Sequence, residues 1–154
     1  MVKANNVAHL EDIFNANKKL LASVDGSKNS LLHWAAQYSS KNSTKLLIQQ
    51  GADLLARNKD GATPFHNAAN YNRVEILELL AAALPSGINA QDTDLFTPLH
   101  YACLNNGFET VKFLTNQVQI NVNLKNKNDK KPDEVYSKTR DDIKKLIFVC
   151  RVKS

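Results

Sequence analysis

Thr63-Pro64-Phe65-His66-Asn67-Ala68-Ala69 decides the reading of this chain, because its pattern occurs twice more. Ser30-Leu31-Leu32-His33-Trp34-Ala35-Ala36 precedes it and Thr97-Pro98-Leu99-His100-Tyr101-Ala102-Cys103 follows it. The three histidines are 33 and then 34 residues apart. Each shared residue has a physical task. Pro64 and Pro98 preset φ near about −65° at a first helical position, where a missing N–H costs nothing. Thr63, Thr97 and Ser30 suit N-caps, their hydroxyls accepting from the freed N–H groups of the first turn. The pairs Ala35-Ala36 and Ala68-Ala69 let neighbouring helices approach closely, with Cys103 a slightly larger stand-in. Roughly ten residues after each histidine comes an apolar stripe at helical spacing. The stripes are Leu46, Leu47 and Ile48; Ile76, Leu77, Leu79 and Leu80; and Val111, Phe113 and Leu114. Gly51 then supplies a left-handed helix cap.

A period of about 33 residues carrying T-P-L-H-x-A resembles the ankyrin repeat. The resemblance covers nearly the whole chain. It implies an all-α solenoid of stacked helix-turn-helix units linked by short β-hairpin-like loops, forming one domain over residues 1–154. Repeats fall at 25–57, 58–91 and 92–125, between a partial N-terminal capping unit (1–24) and a degenerate C-terminal one (126–154). Leu10, Ile13 and Phe14 read as the outer helix of the first unit. Asn15 to Lys28 is the loop that follows, with Asp25-Gly26 near its tip. Pro132 lies 34 residues after Pro98, so Lys131-Pro132-Asp133-Glu134-Val135-Tyr136 takes the T-P-L-H slot, with Glu134 in place of the histidine. Ile143, Leu146, Ile147 and Val149 are the core of the last outer helix. Caps at both ends suggest a complete small protein, since an internal slice would end in mid-repeat.

Two departures from the pattern carry structural consequences. Ala81-Ala82-Ala83-Leu84-Pro85-Ser86-Gly87 replaces the Gly-Ala-Asp cap, and Pro85 stops the helix near Ala83 or Leu84. Asp92-Thr93-Asp94-Leu95-Phe96 has Leu95 where a glycine is usual. Leu95 must therefore take a left-handed conformation or reshape the hairpin tip. Phe96 then sits at a tip and faces solvent, with packing onto the neighbouring finger as the alternative.

Composition excludes several classes. With 43% hydrophobic and 23% charged residues the chain is an ordinary globular one. No apolar run approaches the ~18 residues that span a bilayer, and the first residues lead into no secretory-type stretch. The two cysteines, Cys103 and Cys150, form no C-x-x-C pair and read as small core residues of a reduced compartment, the cytoplasm or else the nucleus. Charge is lopsided. Residues 1–124 hold ten Lys/Arg and ten Asp/Glu, whereas 125–154 hold ten against five. The excess cations read as a solvated cap, because the segment lacks interleaved exposed aromatics and a reading helix for nucleic acid. An acidic protein, nucleic acid or an anionic membrane are the lesser readings.

Catalytic chemistry finds little support. Histidines one repeat apart stand on the order of 10 Å from each other, too far to share a zinc ion, which needs its ligands about 2 Å from one centre. Each is read as bridging backbone groups of its own and the next turn. His9 is read as a surface residue, and Glu75 and Glu78 as a solvated helix face. No phosphate-binding, dinucleotide or H-E-x-x-H motif occurs. No cofactor, metal or small-molecule substrate is expected.

What the resemblance implies is binding of another protein, by a monomer, in the concavity between hairpin tips and first helices. The variable positions mapped onto this chain are Ser27, Asn29, Lys59, Asp60, Ala62, Thr93, Asp94 and Phe96 at the tips. On the inner helices they are Gln37, Tyr38, Asn70, Tyr71, Leu104 and Asn105. Tyr38 and Tyr71 are equivalent and supply the rigid, amphipathic area that interface centres favour. Trp34 and Tyr101 also match, at a slot that packs against the neighbouring repeat. The chain is thus read as an adaptor, scaffold or inhibitor. The alternative is the interaction region of a larger enzyme, channel or pathogen effector.

Overall fold

The computed structural model describes residues 21–38 and 40–153. The expected helix at Leu10, Ile13 and Phe14, the start of the Asn15–Lys28 loop, and His9 lie outside them. Seven α-helices stand among the described residues. Three are inner helices: α1 (Leu31–Gln37), α3 (Pro64–Asn70) and α5 (Pro98–Leu104). Three are outer: α2 (Lys41–Gln49), α4 (Val74–Ala83) and α6 (Phe108–Thr115). The last is α7 (Asp141–Lys153), preceded by a 3₁₀ turn at Pro132–Glu134 in place of an inner helix. Inner helices pack on inner helices, α1 on α3 on α5, and outer on outer, α2 on α4 on α6 on α7. The chain is therefore an all-α stack with one continuous core.

The alanine pairs explain the close inner row. Ala36, Ala68, Ala69 and Ala102 are fully buried, as is Cys103, so helices separated by methyl groups run side by side. Leu32, Phe65 and Leu99, one residue before each histidine, fill the space beneath. From the outer row come Leu46, Leu47, Ile76, Leu77, Leu80, Val111 and Leu114, all buried. Ile48, Leu79 and Phe113, expected in the same stripe, are only half-buried and pack on its margin. The helix is narrower on its buried side than the run of apolar letters suggests.

The histidines hold successive repeats together. The backbone N–H groups of Ser30, Thr63 and Thr97 each donate to Nδ1 of the histidine three residues on, at 3.0 Å. Nδ1 is thus an acceptor, and the proton resides on Nε2. That N–H crosses to the next repeat: His33 to the Ala62 carbonyl at 2.7 Å, His66 to Phe96 at 2.8 Å, His100 to Lys130 at 3.0 Å. In the degenerate last unit the Glu134 carboxylate replaces Nδ1, accepting from the Lys131 N–H at 2.9 Å.

Each hairpin is built on one side chain. Oδ1 of Asp25, Asn58, Asp92 and Asn126 accepts from the N–H groups two and four residues later. The residue three positions on is left-handed in every case: Lys28 (φ 61), Gly61 (φ 73), Leu95 (φ 64) and Asp129 (φ 60). Leu95 therefore resolves its mismatch by strain, and the hairpin keeps its shape. The tips are joined to one another by main-chain bonds of 3.0 Å: Lys59 N–H to Ser27 O, Thr93 N–H to Asp60 O, and Lys127 N–H to Asp94 O.

In the unusual linker α4 ends at Ala83, where Pro85 requires, and Pro85–Asn89 forms a 3₁₀ turn. Gly87 lies flat on the Phe65 ring, where any Cβ would collide with it. At the far end Val149, expected in the core of the last helix, is 48% exposed; Cys150 packs inward instead, its Sγ 3.4 Å from the Thr115 carbonyl.

Candidate protein-binding face

The positions of interest lie in two rows set by the stack, one along the fingertips and one at the C-terminal ends of the inner helices. Tyr38, Tyr71 and Asn105 are the C-cap residues of α1, α3 and α5, which gives them the same orientation one repeat apart. Tyr38 is 66% and Tyr71 44% exposed. Leu104 beside them is exposed, and Gln37 is half-buried, its carbonyl accepting from Arg73 Nε at 3.0 Å. Asn105 donates through Nδ2 to both the carbonyl and Oδ1 of Asn70, at 2.8 Å. Those two asparagines therefore brace one another while remaining exposed.

The fingertips divide into free and committed side chains. Ser27, Lys59, Asp60, Thr93 and Asp94 are exposed, and their mutual links run through the backbone. Asp94 lies 3.5 Å from Lys127, an exposed pair of small energetic worth. Asn29 is half-buried and accepts from Asn58 Nδ2 of the next finger at 3.0 Å. Ala62, expected among the variable positions, is buried, and its carbonyl is the acceptor for His33; it belongs to the stack. Phe96 turns part of its ring inward. It is half-buried, its ring 5.3 Å from that of His100 and 5.4 Å from that of Tyr101, within its own repeat.

The aromatic slot one residue after each histidine is bound to the hairpin. The Tyr101 hydroxyl donates to Asp92 Oδ2 at 2.5 Å and its ring meets His66 of the preceding repeat edge-on. Burial and the Asp92 carboxylate hold that phenol well above its ordinary pKa. Trp34 donates to Asp25 Oδ2 at 3.1 Å, but its ring stays 38% exposed and stacks on Tyr38 at 5.7 Å. Tyr38 is thus paired with Trp34 and not with Tyr71. With Leu31, Ala35, Leu46 and Leu47 the two rings line an apolar groove of about 300 Å³. Sequence reading missed this stack and the Asp/Asn anchors of the hairpins. The second had a signal, an Asp or Asn recurring at 25, 58, 92 and 126.

The repeat histidines are committed to the stack. Each repeat histidine uses both ring nitrogens for stacking, and burial keeps each below its ordinary pKa, His66 at about 4. Burial likewise pushes the Cys103 thiol far up. Among the described residues no group of three His, Cys, Asp or Glu side chains is placed to hold a metal ion, and no helix is long and apolar enough to cross a membrane.

Comparison with known proteins agrees with this geometry. A family model of ankyrin repeats, in three copies, matches residues 4–93 and 32–126. Inversin of Mus musculus is 32% identical over 103 residues, 64% of this chain. Ankyrin repeat protein nuc-2 of Neurospora crassa is 31% identical over 87 residues, and the neurogenic locus Notch protein of Drosophila melanogaster 28% over 90. The matched regions are 10%, 8% and 3% of those proteins, so the chain spans a small part of each. Repeats of this kind are generally protein–protein interaction modules and typically non-catalytic. A recurring histidine clamp, an anchored hairpin and three matched repeats lead to one conclusion: the chain belongs to the ankyrin-repeat family.

Proposed function

We propose that this protein is a non-catalytic module that binds a partner protein through the concave face formed by its fingertips and inner helices. The observation that carries this is the pair Tyr38 and Tyr71, exposed at the same cap position of adjacent repeats. Both tyrosines are exposed, and Tyr38 adds the Trp34 ring and an apolar groove. Around them stand Gln37, Asn70, Leu104 and Asn105, with Lys59, Asp60, Thr93 and Asp94 above. Phe96 and Asn29 contribute their exposed edges only. The face is held by the core behind it, so binding orders little backbone and specificity comes from side chains. The protein acts as an adaptor, scaffold or inhibitor, monomeric when free, in the cytoplasm or nucleus, without a cofactor. Interaction region of a larger protein is the second reading, favoured by the small fraction of each relative that the chain covers.

The test is affinity capture from the native cell, with Tyr38→Ala/Tyr71→Ala and Lys144→Glu/Lys145→Glu as matched variants. A protein retained by wild type and by the lysine variant, but lost from the tyrosine variant, supports the concave face. Capture that survives the tyrosine substitutions overturns it.

A further inference from the structure

The last described helix carries an apolar face that no described residue covers. Here α7 buries Ile143 and Ile147 on one side and leaves Phe148 62%, Val149 48% and Val152 68% exposed on the other. Phe148 is an exposed aromatic in a segment whose sequence was read as having none. Phe148 and Val152 are one turn apart and form a single ridge. Lys144 lies one turn before Phe148, and Lys145 and Lys153 one turn before and after Val149, so ammonium groups border the ridge on both sides.

Two depressions flank Lys145. One, of about 510 Å³, lies between α7 and the connection at 116–120; Ile120, Leu146, Val149 and Cys150 line it together with Lys145 and Lys153. Another, of about 330 Å³, is lined by Asp141, Lys144, Lys145 and Phe148. The local carboxylates are mostly engaged elsewhere. Asp129 pairs with Lys125, Asp133 with Arg151 and Asp142 with Arg140, while Glu134 accepts from the Lys131 N–H. Asp141 alone remains near the ridge, and among the described residues no carboxylate forms an ion pair with Lys144, Lys145 or Lys153.

Charge and shape together select the occupant. Cations that form no ion pair among the described residues, set around an apolar centre, call for carboxylates around apolar side chains. Concave grooves accept individual side chains, which a flat bilayer does not offer. A second copy offers no net acidic charge, since residues 1–124 hold ten Lys/Arg against ten Asp/Glu and residues 125–154 ten against five. We propose that the outer side of α7 docks an acidic peptide segment of another protein, with apolar side chains in the groove beside Val149 and carboxylates on Lys144, Lys145 and Lys153. This site is independent of the concave face.

The experiment is selection of a random displayed-peptide library on the full chain, followed by anisotropy titration of a labelled peptide that it yields. Enriched peptides should combine Asp or Glu with Phe, Leu or Trp. Their affinity should fall about tenfold or more with Lys145→Glu and with Val149→Asp, weaken as salt rises, and stay unchanged with Tyr71→Ala. The pair Lys144→Gln/Lys145→Gln, which alters no buried group, carries the test if Val149→Asp lowers the melting temperature. Failure to enrich, peptides lacking acids, or affinity indifferent to these substitutions overturns the proposal. So does Lys145-dependent sedimentation with phosphatidylserine vesicles without peptide binding, or a dimer abolished by Phe148→Asp.

Discussion

His66 donates from Nε2 to the Phe96 carbonyl at 2.8 Å across a repeat boundary while its Nδ1 accepts from the Thr63 N–H at 3.0 Å. The second bond requires the neutral ring, since a proton on Nδ1 would face the Thr63 N–H. Burial holds the folded-state pKa at about 4, against 6.5 for the free side chain. The unfolded chain therefore takes up a proton that the folded one refuses. Stability should be full above about pH 6.5, fall as pH drops through this window, and level off near pH 4. The loss from His66 alone comes to about 3 kcal/mol. His33 and His100 shift in the same direction for the same cause. Denaturant melts at about pH 7.5, 5.5 and 4 measure it, and a flat profile across that range would sink the clamp argument.

Leu80 is fully buried whereas Leu79 sits half-buried on the margin of the core. Leu80→Ala should cost ~2–5 kcal/mol, and Leu79→Ala about 1–2 kcal/mol, in proportion to the smaller apolar area it hides. Equal costs in urea melts, or a larger one for Leu79, would mean that the helix register is wrong.

Gly61 and Leu95 occupy the same left-handed tip position with opposite consequences. A Cβ on Gly61 would meet Thr93 Oγ1 at 2.6 Å and Thr93 N at 2.7 Å, so Gly61→Ala should destabilise by about 1–3 kcal/mol. Leu95 already carries a side chain at φ 64. Leu95→Asn should relieve part of a left-handed penalty of roughly 1–2 kcal/mol, raising the melting midpoint slightly. A midpoint lowered by Leu95→Asn would show that the 40% exposed leucine makes contacts worth more than its strain.

Tyr101→Phe removes the donor to Asp92 Oδ2 and leaves that carboxylate, 6% exposed, with two backbone partners among the described residues. A loss of about 1.5–3 kcal/mol is expected, typical of a bond to a charged acceptor. Trp34→Phe breaks the equivalent bond to Asp25 in open solvent and should cost less. Chemical denaturation of the two variants side by side decides the ranking.

What was readable in the letters was whatever repeats. Pro64, the alanine pairs and the histidines recur at 33 or 34 residues, so their roles could be inferred from one copy and checked on the next. Leu95 was legible as a violation because Gly61 shows what the slot wants. Phe96 was not, since its ring tucks over His100 and Tyr101 by a side-chain rotation that periodicity does not encode. The α7 surface was hardest. Its unit lacks an inner helix and has no following neighbour among the described residues, so nothing in the pattern said that Val149 would face outward and Cys150 inward. For the proposed binding face the repeat pattern marked the positions, and the pairing of Tyr38 with Trp34 is visible only in the folded chain.

The tip-to-tip bonds from Lys59, Thr93 and Lys127 are made by amide and carbonyl groups alone. At these three bonds the spacing between fingers does not depend on the side chains displayed there. Residues 59, 60, 93 and 94 can be exchanged for almost any others without altering the distance at which they are presented. A library randomised at these four sites should return variants that melt together yet differ widely in what they hold. On the proposed binding role, such a molecule would change its partner by point substitution, with the tip spacing kept by the main chain.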